Sequence, residues 1–287
     1  MQIIDITEDN VEEYAAFIGE DMAENMGRTF YRGIAVAEEE GTDPDAMMIW
    51  ELLYSEKEDK DTESSIKFLQ IKEEEAGLEL FDAYQERITA DQVKRSNFVI
   101  PAKKGSLERS MLKQAGFFVK LMEGDLIVVK VGEFEKLPLM KIRKDSPNIN
   151  PVGDVAVRQF RKGIWRCIEA GFTGVCEDLS YLPMNWFDPA VSCYSAHEED
   201  INGFLLFHKH PSGALSLQLM AALGKEYQQT LVSMMRHSIL AMEENYAPET
   251  RVLLDRHNQA SLHLSEKLFP RGFGKPMYMG FREEGAC

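Results

Sequence analysis

RVLLDRHNQASLHLSEKLFPRGFGKPMYMGFR, residues Arg251 to Arg282, is the stretch on which the fold turns. Val252, Leu253 and Leu254 form an apolar run too short for a helix and right for a buried strand. Asp255, His257 and Asn258 then supply turn and N-cap chemistry, because short polar side chains satisfy the open N–H groups of a first helical turn. Leu262, Leu264 and Leu268 follow with polar residues between them, as on an amphipathic helix. Pro270 and Gly272 stop that helix, and Met277 to Phe281 resume an extended pattern. The expected order is strand, Asn-led helix, Gly-Phe, final strand.

The same order occurs earlier in the chain. Asn97 to Val129, NFVIPAKKGSLERSMLKQAGFFVKLMEGDLIVV, gives a strand at Phe98 to Ile100, a polar turn and a helix carrying Leu107, Met111 and Leu112. Gly116-Phe117 follows, and then an expected strand pair turning at Glu123-Gly124. Ile3 to Ile6 and Met140-Lys141-Ile142-Arg143 read as short alternating strands that open two related halves.

In order and spacing of elements, both stretches resemble the C-terminal part of the GNAT superfamily of acyl-CoA N-acyltransferases. Asn258, Leu262, Leu264 and Glu266-Lys267-Leu268 stand in register with that family's pattern. Ser265 stands where the family carries a Tyr that often acts as general acid on the departing CoA thiolate, and Leu112 stands there in the first half. The resemblance implies an α/β (α+β) mixed-sheet fold made of two tandem GNAT-like domains. The expected domains are residues 1–134, degenerate, and residues 135–287.

It also implies acetyl-CoA as co-substrate. The family's fourth strand leads into a turn, roughly Arg-x-x-Gly-x-Gly, whose backbone amides meet the diphosphate at a helix N-terminus. In the first half this turn is Ile71-Lys72-Glu73-Glu74-Glu75-Ala76-Gly77. Lys72 and Gly77 remain as candidates there, but three carboxylates suit a helix start without a ligand and repel a diphosphate. The second half offers Leu223-Gly224-Lys225-Glu226-Tyr227-Gln228. Leu223 stands at the Arg, and Glu226 and Gln228 stand at the paired glycines, which leaves Gly224 and Lys225 as phosphate contacts. By the resemblance, backbone amides from Gln218 through Met220 to Ala222 hold the pantetheine arm, and Asn258 completes the cofactor side.

The remaining elements follow from patterning. Val11, Tyr14, Ala15 and Ile18 make a helix face. Tyr31 to Ala37 and Met47 to Tyr54 pair around a Gly41–Pro44 turn, and Ser55 to Glu63 is a charged loop. Ile66 to Ile71 is the first half's central strand, and Leu78 to Ile88 its following helix. In the second half, Val155 to Ala170 is a helix, Val191 to Ser195 and Phe204 to His208 pair, and Leu215 to Met220 is the central strand. Leu231, Met234, Met235, Ile239 and Met242 form the inner stripe of the last long helix, a pattern of core rather than of a binding surface.

The 287 residues carry a net charge of -16, which argues against a nucleic-acid partner, since such binding needs a basic face. An acidic surface attracts a cationic acceptor such as a small-molecule amine or a Lys-containing peptide, and it also serves plain solubility. The four cysteines, Cys167, Cys176, Cys193 and Cys287, form no CxxC pair; without a signal pattern, reduced thiols and a cytoplasmic location are expected. No apolar run approaches the roughly 20 residues of a membrane span, so no membrane partner is expected. A monomer and a homodimer both remain open.

Acyl transfer to an amine needs a base, a positioned carbonyl, oxyanion stabilisation and a proton for the thiolate. His208 is the candidate base, Ser265 or water the candidate acid, and Trp165 and Trp186 candidate cleft walls. His208 and His210 lie two apart on one strand, but a metal site would need a third ligand, and no metal is expected. The sequence supports N-acetyl transfer in the C-terminal half, or alternatively a non-catalytic module binding a small molecule or protein in the remnant cleft.

Overall fold

The computed structural model describes residues 1–53, 62–141, 148–170, 179, 182–197, 200–224, 227–255 and 274–285. The chain divides into two compact units, Met1–Gly124 with Pro276–Cys287, and Asp125–Lys275.

The first unit contains β1 (Gln2–Ile6), α1 (Val11–Ile18), α2 (Glu20–Asn25), β2 (Tyr31–Ala37), β3 (Ala46–Leu53), β4 (Glu63–Ile71), α3 (Glu74–Ala90), β5 (Arg95–Pro101) and α4 (Leu107–Gln114). It also holds the start of β6 (Phe118–Lys130) and most of β12 (Gly274–Glu283). The strand order is β1-β2-β3-β4-β5-β12-β6; β4 with β5 is a parallel pair, and the pairs β1-β2, β2-β3, β3-β4 and β5-β12 are antiparallel. Alternation assigns the faces of β3. Ala46, Met48, Trp50 and Leu52 pack with α3 and α4 residues, and Met47 and Ile49 pack with those of α1. Glu74 and Glu75 lie in the first turn of α3, where carboxylates offset the helix dipole.

Tyr84 of α3 fastens the parallel pair. Its hydroxyl lies 2.8 Å from Ser64 Oγ on β4 and 2.9 Å from Ser96 Oγ on β5, residues that face each other across the pair. Both serines are fully buried, and burial pushes the Tyr84 hydroxyl up to about 12. Tyr84→Phe should cost about 1 to 3 kcal/mol, because two buried hydroxyls lose their partner; a denaturant midpoint unchanged from wild type would contradict this.

The second unit continues β6 and adds β7 (Ile149–Pro151), α5 (Val157–Glu169), β8 (Cys193–His197), β9 (Asp200–Lys209), β10 (Leu215–Ala222), α6 (Tyr227–Asn245) and β11 (Arg251–Asp255). Its order is β6-β11-β10-β9-β8-β7, with β10 and β11 as the parallel pair. Phe160, Ile164 and Cys167 of α5 cover one face, against Phe204 and Leu206 of β9 and Leu219 and Ala221 of β10. Met234, Ile239 and Met242 of α6 cover the other, against Leu205, Phe207, Leu215 and Ala222. The expected Met stripe is therefore core.

Two expectations are corrected, and the placement of the tail strand, which the sequence leaves open, is decided. No hairpin turns at Glu123-Gly124: β6 is one 13-residue strand, because its last residues, Leu126 to Lys130, pair with β11 instead of folding back. Residues 139–141 do not open the second half as a strand, and Ile142 and Arg143 lie outside the described residues. Pro138–Lys141 is a 3-10 turn, which Pro138 starts without losing an N–H bond, and the edge strand is β7, paired with β8. The tail strand Met277 to Phe281 is not part of the second unit. β12 pairs antiparallel with β5, so the first unit borrows its strand from the far end of the chain. The two units divide between Gly124 and Asp125, inside β6. Among the described residues, no helix is long and apolar enough to cross a membrane.

Candidate functional site

The site begins as a fork between parallel strands. β10 and β11 pair at Leu215↔Val252 and Ser216↔Leu253 and then separate, although β10 runs to Ala222 and β11 to Asp255. On its other edge β10 stays paired with β9, with a bulge: Leu217 faces Phe207 and Leu219 faces Leu206, which leaves Gln218 extra. A bulge re-aims the residues around it and turns a strand away from its neighbour. Beyond Ser216, β10 therefore offers backbone groups on one edge with no strand partner among the described residues. An open strand edge of this kind can take up an extended ligand by backbone pairing.

A polar cluster sits at the root of this fork. His208 faces Ser216 across the β9–β10 ladder and is 4% exposed. Its Nδ1 lies 2.7 Å from the Trp186 carbonyl, which can only accept, so Nδ1 carries a proton. The indole of Trp186 stacks on the His208 ring at 3.9 Å and 5°. His210 meets His208 edge-on at 4.7 Å, and its Nε2 lies 2.8 Å from Ser216 Oγ. Gln218 folds back along its strand and donates from Nε2 to the same Ser216 Oγ at 2.6 Å.

The expected cofactor residues divide. Gln218 is the bulged residue. Met220 and Ala222 turn their side chains into the α6 core and leave only backbone for a ligand. Gly224 is exposed after β10 at φ +92, with open space where a side chain would stand, a conformation that favours glycine. Lys225, Asn258 and Ser265 lie outside the described residues. Leu223 packs with the α5-side core, and Gln228, in the first turn of α6, donates to Tyr227 Oη at 3.0 Å. Trp165, on α5, is half-buried, and it is Trp186 that touches the cluster.

The first unit repeats this frame with different contents. Its fork opens after Ile66↔Phe98, and Lys67 is the bulged residue between Ile66, opposite Trp50, and Phe68, opposite Ile49. By ladder register, Glu51 occupies the slot that His208 fills in the second unit, since it faces Ser65 just before the bulge. Glu51 is buried and ion-paired with Lys67 at 3.1 Å and Arg28 at 3.6 Å. The end of β4 is also closed off: Glu108 of α4 accepts from the Ile71 N–H at 3.4 Å. The Met111 methyl stands 3.1 Å from where a Cβ on Gly77 would be, so this missing side chain makes room for α4.

No thiol nucleophile joins either cluster among the described residues. Burial pushes the Cys193 thiol up to about 12, with Ser238 Oγ 3.5 Å away, and the Cys167 thiol up to about 11. Both stay protonated near neutrality and act as core.

No protein-family model matches the chain, and no curated protein matches it by sequence. Solved structures do. A tandem GNAT protein from the clavulanic acid biosynthesis pathway matches over 100% of this chain and 99% of its own, with a TM-score of 0.63 at 7% identity. A GCN5-related N-acetyltransferase from Sphaerobacter thermophilus matches over 98% and 95%, with a TM-score of 0.54 at 12% identity. Another from Kribbella flavida matches over 98% of this chain and 70% of its own, with a TM-score of 0.52 at 11% identity. At these identities the likeness is one of fold: the architecture is the GNAT fold.

Proposed function

We propose that the second unit transfers an acyl group from acetyl-CoA to an amine. One observation carries the reading: the β10–β11 fork with a bulge at its root, beside a buried histidine pair. The first unit keeps a fork but fills the comparable positions with ion pairs and α4 side chains, and is read as the structural partner.

When bound, acetyl-CoA supplies the activated acyl group as a thioester. The chain's part is to hold it along the open edge from Gln218 to Ala222, with Gly224 leaving room for the diphosphate end. Donors fixed in place before reaction stabilise a developing oxyanion without reorganisation. His208 of β9 and His210 just past its end lie one strand away, where a base for the amine is needed. The net charge of -16 draws a cationic acceptor, a small amine or a Lys-containing peptide.

A thermal-shift titration with acetyl-CoA tests this. Saturation far above the dissociation constant should stabilise the protein by roughly 2 to 3 kcal/mol. Gly224→Leu should abolish that shift while the protein remains folded, since the side chain would enter the space assigned to the cofactor. No shift at millimolar acetyl-CoA would defeat the reading in favour of a binding module, and a shift that survives Gly224→Leu would move the cofactor elsewhere. The absence of paired glycines, with Gln228 at one of those positions, is the feature that favours the module.

A further inference from the structure

The base expected from sequence is His208, but the hydrogen bonds around the fork lead to its neighbour. We propose that Ser216 and His210 form a proton relay for acyl transfer, with Ser216 the group that meets the acceptor amine and His210 the terminal base. This rests on the acyltransferase reading of the second unit.

Ser216 stands where β10 parts from β11: it is the last residue of the parallel pairing and lies two before the bulge. It is half-buried, whereas His208 is enclosed between Trp186 and His210 with its Nδ1 donating to a carbonyl. The amide nitrogen of Gln218 can only donate, so at 2.6 Å it uses one lone pair of Ser216 Oγ. The serine proton is then free to point at His210 Nε2, 2.8 Å away, which accepts it when the ring is neutral and protonated on Nδ1. With His210 in that tautomer the order Gln218, Ser216, His210 is directional, with donors running from the bulge toward the imidazole.

His210 is held for this task by its backbone. Its N–H donates to the Ala214 carbonyl and its own carbonyl accepts from Gly213, both at 2.8 Å, which closes the β9–β10 turn. The ring is 9% exposed and walled edge-on by His208. His208 is a positioning residue: stacked on Trp186, it fixes the plane against which His210 lies.

The step balances. The amine nitrogen bonds to the acyl carbon, and the carbon–sulfur bond breaks with its electron pair leaving on the thiolate. The nitrogen loses a proton to Ser216 Oγ, and the serine's own proton passes to His210 Nε2, giving an imidazolium and the neutral amide. Imidazole suits this because its proton affinity lies near neutrality.

Two measurements on the full chain decide the matter. Long-range nitrogen–proton correlation spectra of ¹⁵N-labelled protein should show neutral His210 with its proton on Nδ1, and Ser216→Ala should remove that preference. A ring protonated on Nε2 in wild type, or a tautomer unaffected by Ser216→Ala, overturns the relay. Turnover is read as coenzyme A release from acetyl-CoA with lysine homopolymer and spermidine as probe amines. Ser216→Ala and His210→Gln should each lower kcat about 100-fold or more, with the KM for acetyl-CoA within about twofold. The double variant should be no worse than either single one, and Ser216→Thr, which restores a hydroxyl, should recover most of the rate. Wild-type kcat in Ser216→Ala sinks the relay alone. Absence of any acetyl-CoA thermal shift in wild type sinks the acyltransferase reading and the relay with it.

Discussion

Gly280→Ala should unfold the first unit or cost it about 3 kcal/mol or more, the upper end for overpacking. A methyl group on Gly280 would lie 1.6 Å from the Phe118 carbonyl oxygen and 2.8 Å from its carbon. Those atoms are backbone of β6, so no rotamer change relieves the clash, and the Phe98 ring blocks the other side at 2.9 Å. β12 and β6 would have to part. The strand that moves is the one the unit draws from the end of the chain, fixed by Arg282. That guanidinium donates to Ala115 O at 2.7 Å and Gln85 Oε1 at 2.6 Å, and lies on the Phe117 ring. Denaturation monitored by circular dichroism, with amide exchange to locate the loss, should show β5 and β12 losing protection first. A melting temperature equal to wild type would mean that β12 is not seated as described.

Phe160→Ala comes next, at about 3 to 5 kcal/mol, the usual cost of emptying a fully buried aromatic site. Phe160 of α5 is 0% exposed and meets Phe204 of β9 at 5.3 Å, edge to face, and Phe187 at 5.6 Å. Phe187 directly follows Trp186 and bridges to His208, so the cavity would loosen the stack that walls the histidine pair. Beyond the stability loss, any acetyl-CoA thermal shift should shrink, and exchange should rise in β9 before β2 and β3. Exchange raised equally in both units would show that the α5 core is not a local support of the site.

Much of this fold could be read from residue order. β4 and β10 betray their bulges in the apolar phase: Ser64 and Ile66 share a face with Leu69 and Ile71, and Leu215 and Leu217 share one with Met220 and Ala222. A step of three where alternation demands two is the mark of one extra residue. That step marks Gln218 and Lys67 directly in the sequence. The α6 stripe, the strand at Val252 to Leu254 and the helix at Val157–Glu169 were legible because each carries its own period.

The roles inside the fork were not legible in this way. His208, His210, Ser216 and Gln218 form a cluster only because strand pairing brings two chain segments side by side and a bulge turns one of them. Likewise nothing in Glu108 or Met111 announces that they close the first fork, because their partners Ile71 and Gly77 lie 37 and 34 residues earlier.

Among the described residues, the sequence by itself determined most of the elements and their order, since periodicity and turn chemistry act over a few neighbouring residues. Only the tertiary structure decided that β6 runs on without turning, that β12 joins the first unit, and that the second fork is the one left with histidines. Those outcomes depend on which distant edge satisfies a strand's backbone hydrogen bonds, and a free edge has no preference written in its own residues.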